Sequence, residues 1–247
     1  MRKLWILLFV LPLIATGQEE KGTLMSFADF TIKTGHAAQF EDGAKKWKAC
    51  YLENNGTEKW NMWQRVQGEG TVYSLVGYME NWAEMDQEDD AGKGCRAIVM
   101  NFIMPHVEKV KYSLHRSIPK WSQKTDEDEV KIAWETSFKI KDGQLFSEAV
   151  EEYIDMMSQM DEETEGYFSY TIGGGPDDAD YTLVYFEESY AAMDIDEDSS
   201  IEKYEKAQGK EKADEMRDKM KKMSEKWQEA VEDSWSYMWE HKPELSN

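Results

Sequence analysis

The sequence predicts an α+β protein built from two copies of one strand–helix–strand–strand–helix–strand unit, with the two sheets facing each other. Three observations predict it. First, the chain repeats itself. Shifted by 108 residues, Phe30-Thr31-Ile32-Lys33 meets Phe138-Lys139-Ile140-Lys141, Gly35 meets Gly143, Trp60 meets Phe168, Tyr73 meets Tyr181, Trp82 meets Tyr190, and Met85-Asp86 meets Met193-Asp194. Second, each copy switches between the two-residue period of strands and the 3.6-residue period of helices in the same order. Third, the strands carry apolar residues on both alternation faces, as in Trp60 and Met62 beside Trp63, or Tyr73 and Leu75 beside Val76 and Tyr78. A sheet with one wet face would alternate cleanly, so these sheets are covered on both sides.

The elements follow in order. Thr23 to Lys33 reads as the first strand. Phe40, Ala44, Trp47 and Tyr51 form a helical stripe after it. Lys59 to Gln67 and Thr71 to Glu80 read as two strands joined through Gly68 and Gly70. Asn81 is a good capping residue for a short helix. Val99, Phe102, His106 and Val110 suggest a longer helix, and Lys111 to Ser117 the closing strand. The second copy repeats the plan: strand Val130 to Lys141, helix stripe Phe146, Val150, Tyr153 and Met157, and strands Gly166 to Ile172 and Tyr181 to Glu187 joined through Gly173-Gly174-Gly175-Pro176. A helix with Met216, Met220, Met223 and Trp227 on one stripe follows, and strand Ser234 to His241 closes the copy. The ends match as well, Ile118-Pro119-Lys120-Trp121-Ser122 resembling Lys242-Pro243-Glu244-Leu245-Ser246. That longer shift implies an insertion of about sixteen residues after Asp194, in a stretch whose alternating charges read as a solvated helix.

Residues 1–17 stand apart from this pattern. Arg2 and Lys3 precede an apolar run from Leu4 to Ile14, and Ala15-Thr16-Gly17 supplies the small residues of a cleavage site, so they read as a signal peptide. The expected organisation is a leader at 1–17, a first repeat at 18–122, an acidic linker at 123–129 and a second repeat at 130–247. The protein is expected to be exported, periplasmic or secreted. The whole chain of 247 residues has 50 Asp+Glu against 29 Lys+Arg, a formal charge of −21. That balance argues against binding nucleic acid through its phosphates, or an anionic lipid surface. Aromatic residues reach 13%, which a disordered acidic chain would lack.

The element order is that of the split ferredoxin-like unit. With the duplication and the Phe-x-Ile-Lys-x-Gly lead into each first helix, the chain resembles the dimeric α/β-barrel superfamily, in a tandem form with both halves in one polypeptide. The resemblance covers nearly all of the chain after the leader and rests on no catalytic motif. It implies two ferredoxin-like units packed sheet to sheet as a fused dimeric α/β barrel, a monomer in place of the usual homodimer. The superfamily includes cofactor-free oxygenases, haem-binding enzymes, lyases and proteins without known chemistry, so it implies a fold strongly and a function weakly.

In such a barrel the ligand site lies between a sheet and the elements covering it, so polar residues within strands are the candidates. Asp29 interrupts the first strand, Asn61 and Arg65 flank Trp63 on the second, and His115 lies on the fourth. A His, an Asp and an Arg converging in an apolar cavity could bind a carboxylate or phenolate and move a proton. The second copy has Ser137, Ser169 and Thr171 in place of Asp29, Asn61 and Trp63, so any site is asymmetric. The expectation is a small-molecule binder. The alternatives are a cofactor-independent oxygenase or lyase, and a structural or envelope-stress protein with a filled barrel.

The remaining motifs carry less. Cys50 and Cys95 are a candidate disulfide in an exported chain. The four histidines show no metal-ligand spacing, and no cofactor is expected. Asp194, Asp196, Asp198 and Glu205 have the spacing of a calcium loop, but Ser199 stands where such loops need Gly, which leaves calcium as a minor alternative to a solvated acidic loop. The methionine stripe is expected to pack its helix on the sheet.

Overall fold

The computed structural model describes residues 21–123, 130–162, 166–195 and 198–247. The expected leader at 1–17 and linker residues 124–129 lie outside the described residues. The first copy comprises β1 (Leu24–Ile32), α1 (Ala37–Glu53), β2 (Trp60–Arg65), β3 (Thr71–Met79), the short helices α2 (Asp90–Gly94) and α3 (Arg96–Ile98), and β4 (Val107–Ser117). The second comprises β5 (Ile132–Ile140), α4 (Gly143–Gln159), β6 (Tyr167–Thr171), β7 (Tyr181–Glu187), α5 (Ser200–Gln208), α6 (Lys210–Ala230) and β8 (Val231–His241).

The strands close into one barrel in the order β1-β3-β2-β8-β5-β7-β6-β4, with every neighbouring pair antiparallel. Within each copy the order is the same, β2-β3-β1-β4 and β6-β7-β5-β8. The two sheets are therefore joined at their edges as well as facing each other. Trp63, Gln64 and Arg65 pair with His241, Glu240 and Trp239 at one seam. His115, Arg116 and Ser117 pair with Thr171, Tyr170 and Ser169 at the other. Closure leaves no sheet edge open to further strands. A register shift recurs at equivalent places, Thr31/Ile32 and Lys139/Ile140, so even the local irregularity is duplicated.

The strand period sorts side chains between two spaces. Residues such as Phe30, Ile32, Met62 and Tyr73 face out and pack with Phe40 and Ala44 of α1. In the second copy Phe138, Phe168 and Leu183 pack with Phe146 and Val150 of α4. Asp142 caps α4 by accepting from the backbone N–H groups of Gln144 and Leu145, both at 3.0 Å. The matched end segments are exchanged between copies. Trp121, just after β4, is buried in the second copy's core, while Leu245, just after β8, is buried in the first. The Trp60 indole donates to the Leu245 carbonyl at 2.8 Å and Ser246 Oγ accepts from the Met62 N–H at 2.9 Å, holding the tail on the first copy.

Two sequence expectations are corrected. The long helix through Val99, Phe102, His106 and Val110 does not form as one piece. The chain passes through α3, a π-helical turn at Val99–Ile103 and a 3-10 turn at Met104–His106, and β4 has already begun at Val107. Pro105 accounts for the break, since it has no N–H to continue a helix. The wide turn brings the Phe102 carbonyl against α1, where a β-carbon on Gly43 would lie only 2.1 Å from it. The methionine stripe also packs differently. Met216 of α6 is buried against Met156, Met157 and Met160 at the α4 end, with Ile201 and Tyr204 of α5 beside them. Only Trp227 reaches the sheet-side core. The insertion thus forms α5, capped by a reciprocal Ser199–Glu202 capping box, and thickens the helical layer. Cys50 and Cys95 are bonded, with Cα atoms 6.0 Å apart, tying the end of α1 to α2. Among the described residues no helix is long and apolar enough to cross a membrane.

Candidate functional site in the barrel interior

The space between each sheet and its own helices is filled by the aromatic cores. The open space lies on the other side of the strands, between the two sheets, where the barrel encloses a cavity of about 440 Å³. That volume falls in the range of small-molecule sites. The site expected between a sheet and its covering elements is therefore covered by the other sheet, and the barrel is not filled.

The walls are aromatic and aliphatic: Phe27, Trp63, Phe186, Tyr237 and Trp239 with Val72, Val76 and Val184. Set into them are Asp29 on β1, Arg65 on β2, His115 on β4 and Glu135 on β5. Period-two alternation places all four inward, and the cross-strand register sets their levels. Asp29 lies opposite Ser74 and Lys111, Glu135 opposite Val184 and Tyr237, and Arg65 opposite Trp239.

Asp29 and Glu135 keep some accessible surface, but it opens on the cavity, and both are deeply enclosed by protein. Burial raises the Asp29 carboxyl above its ordinary value, while the Ser74 hydroxyl, Lys111 and Arg65 act against the rise. Burial pushes Glu135 up to about 7, and the negative charge of Asp29 adds to the shift. Ser137 Oγ donates to Glu135 Oε1 at 3.1 Å; Ser137, Trp239 and Arg65 favour the charged form. The two carboxyls, one from each copy, thus sit in one electrostatic unit with Arg65. The Arg65 guanidinium lies over the Tyr237 ring at 4.6 Å and donates to the Glu69 carbonyl.

His115 is held differently. Its Nε2 lies 3.1 Å from Ser113 Oγ and its ring 4.6 Å from that of Phe27. Burial first, then the neighbouring Lys111, lowers it to about 4, so it is neutral at neutral pH. The groups acting on it are Lys111 and Asp178, not Asp29 or Arg65. Lys111 and Asp178 form an ion pair where the loop after β6 meets the cavity. That loop turns through Gly173 and Gly174, whose φ values of 75° and 102° suit residues without a β-carbon.

The sequence candidates divide accordingly. Asp29, Trp63, Arg65 and His115 line the cavity. Asn61 does not; it donates from Nδ2 to the Tyr78 hydroxyl at 3.0 Å. Trp63 joins the two halves, its ring centroid 6.1 Å from Phe186 and 4.8 Å from His241. Glu135 was not among the candidates, although the signal was present: it interrupts an apolar strand as Asp29 does, but at the position where the first copy has Phe27. Arg65 Nε, His115 Nδ1, Thr171 Oγ1 and Trp239 Nε1 are buried on these walls with no hydrogen-bond partner among the described residues. Trp239 stands near enough to Glu135 to bias its charge without meeting hydrogen-bond geometry.

Among the described residues no group of three or more His, Cys, Asp or Glu side chains is arranged to hold a metal ion. Asp196 of the calcium-like spacing lies outside the described residues. Its neighbours are engaged elsewhere, Asp198 with Lys206 and Glu205 with Arg217. Nor does the chamber suit a haem. The single lining histidine is pressed on Phe27 with Nε2 at Ser113, and two buried carboxyls would face a ring that carries two carboxylates of its own.

No protein-family model and no curated protein matches the sequence. Solved structures do match in fold. A candidate monooxygenase from Lactobacillus acidophilus NCFM superposes with a TM-score of 0.55 at 12% identity, covering 89% of this chain and 94% of that one. An anthrone oxidase-like protein gives 0.53 at 10% identity, covering 91% and 92%. A mutant chlorite dismutase from Candidatus Nitrospira defluvii gives 0.50 at 9% identity, covering 92% and 94%. At such identities the likeness establishes the fold alone, and that fold is the dimeric α/β barrel, here closed within one chain.

Proposed function

We propose that this chain is an exported binding protein that holds one small aromatic molecule inside its barrel. The observation that carries the reading is the cavity of about 440 Å³ walled by Phe27, Trp63, Tyr237 and Trp239. Export draws support from the leader-like sequence at 1–17 and from the Cys50–Cys95 bond, which suits an oxidising compartment.

A cofactor-independent oxygenase or lyase is the second reading. It draws on Glu135, whose carboxyl near 7 suits a general base at neutral pH, and on the monooxygenase description of a fold neighbour. The two share the cavity, so one experiment tests both at their root. Titrating the purified protein with 2-naphthylmethanol should quench the fluorescence of Trp63, Trp235 and Trp239, which line the cavity. It should also raise the melting temperature. Ala133→Phe, which fills the chamber from β5, should abolish both effects. Quenching and stabilisation that survive Ala133→Phe, or their absence in the parent protein, would remove the barrel from consideration as the site.

A further inference from the structure

Resting on that binding reading, we infer that the chamber takes a monocationic aromatic amine, its ammonium between Asp29 and Glu135 and its ring against Trp63, Tyr237 and Trp239. The argument is one of charge in an enclosed space. Along the lining, Lys109 and Lys111 balance Asp177 and Asp178 in number; Lys111 is bonded to Asp178 and also lies opposite Asp29. His115 is neutral at neutral pH. That leaves Arg65 as the remaining cation against two carboxyls, Asp29 and Glu135. With both ionised, the interior carries one uncompensated negative charge, which low-dielectric surroundings penalise heavily.

Burial offsets that charge by holding a proton on Glu135 up to about pH 7. A ligand ammonium would do the same work and let the proton leave. The remaining wall chemistry fits such a guest. Arg65 is engaged with Tyr237 and the Glu69 carbonyl, and Trp63 and Trp239 add aromatic rings to the same lining. An anionic guest would meet two acids instead, and a neutral one would leave the proton where it is. The chain's net charge of −21 favours approach of a cation over an anion.

The test uses three probes of one size: 2-naphthylmethylamine, 2-naphthylmethanol and 2-naphthoate. Calorimetric titration of the intact protein in two buffers of different ionisation enthalpy counts the protons exchanged. The amine should bind at least tenfold tighter than the alcohol at pH 8, and naphthoate weakest. Competition with a proton held near 7 predicts that amine affinity falls about tenfold between pH 8 and pH 6, with about half a proton released per ligand at pH 7. Glu135→Gln should remove that pH dependence and bring the affinities of the amine and the alcohol together; Asp29→Asn serves as the second variant. If amine and alcohol bind equally and no proton is released, the amine assignment is wrong and the binding chamber stands. A preference for naphthoate has the same meaning. If none of the three probes binds, the binding reading fails, and this inference with it.

Discussion

Replacing Glu135 by Gln should stabilise the protein, and more so as the pH rises. In the unfolded chain a Glu carboxyl titrates at its ordinary 4.5; in the fold it titrates at about 7. The folded state therefore binds the extra proton, and the stability that this provides is complete below 4.5 and is lost as the pH rises through 7. The full difference corresponds to ~3 kcal/mol of destabilisation at alkaline pH, at 1.36 kcal/mol per pH unit. Gln preserves the shape and carries no charge to bury, so it escapes that loss. The assay is urea denaturation of both proteins with the disulfide intact. It should run from pH 5.5, above the isoelectric point near 4.6, to pH 8.5. The advantage of Glu135→Gln should grow from ~1 kcal/mol at pH 5.5 to ~3 kcal/mol at pH 8.5. A constant difference across that range, or a variant less stable at pH 8.5, would show that Glu135 is solvated and ionised in the fold, and the chamber's charge argument would fall.

Two further outcomes test the architecture. Leu245→Ala should cost ~2–5 kcal/mol in denaturant titrations, because Leu245 is 1% exposed and fills the other copy's core rather than its own. A loss under 1 kcal/mol would mean that the exchanged tail is peripheral. Breaking the Cys50–Cys95 bond, by reduction or by Cys95→Ser, frees a segment with a sequence separation of 45 and should cost ~4 kcal/mol on the chain-entropy estimate. Equal stability with and without reductant would instead point to residual order of that segment in the unfolded state.

The fold was legible where the sequence carries periodicity, and less so where backbone geometry decides. The repeat, the element order and most strand limits could be read because aromatic positions recur at one offset. The segment from Val99 to Val110 reads as a helix because its apolar spacing continues through Pro105 and into β4, where a strand also accepts Val107 and Val110. At the site, Asp29, Arg65 and His115 stood out as polar residues within apolar strands. Glu135 obeys the same rule, but aligning the two copies sets Ser137, not Glu135, against Asp29 and so draws no notice to it. Which carboxyls share a chamber depends on the register of β1 and β5 around a closed barrel, and strand pairing across three intervening strands in either direction leaves no local trace in sequence.

That asymmetry is what fusion of the two halves makes available. In a barrel made of two identical chains, every inward group appears twice, related by the twofold axis. Two Arg65, two His115 and two Asp29 side chains would then crowd one space, and their number could not be adjusted singly. Here β1 supplies an acid where β5 has Ser137, β2 supplies Arg65 where the other copy has Gly173, and β4 supplies His115 where β8 has Trp239. The partner acid, Glu135, comes from a position that matches Phe27. Arg65 therefore acts on two unlike acids at unlike levels, an arrangement that no symmetric dimer of either half could build. Restoring the symmetry tests the point. Glu135→Phe should leave Arg65 and Asp29 as a balanced pair, abolish proton release on amine binding, and bring the affinities of the amine and the neutral alcohol together. If the amine is still preferred with a proton released, the charge excess does not come from the unlike acids.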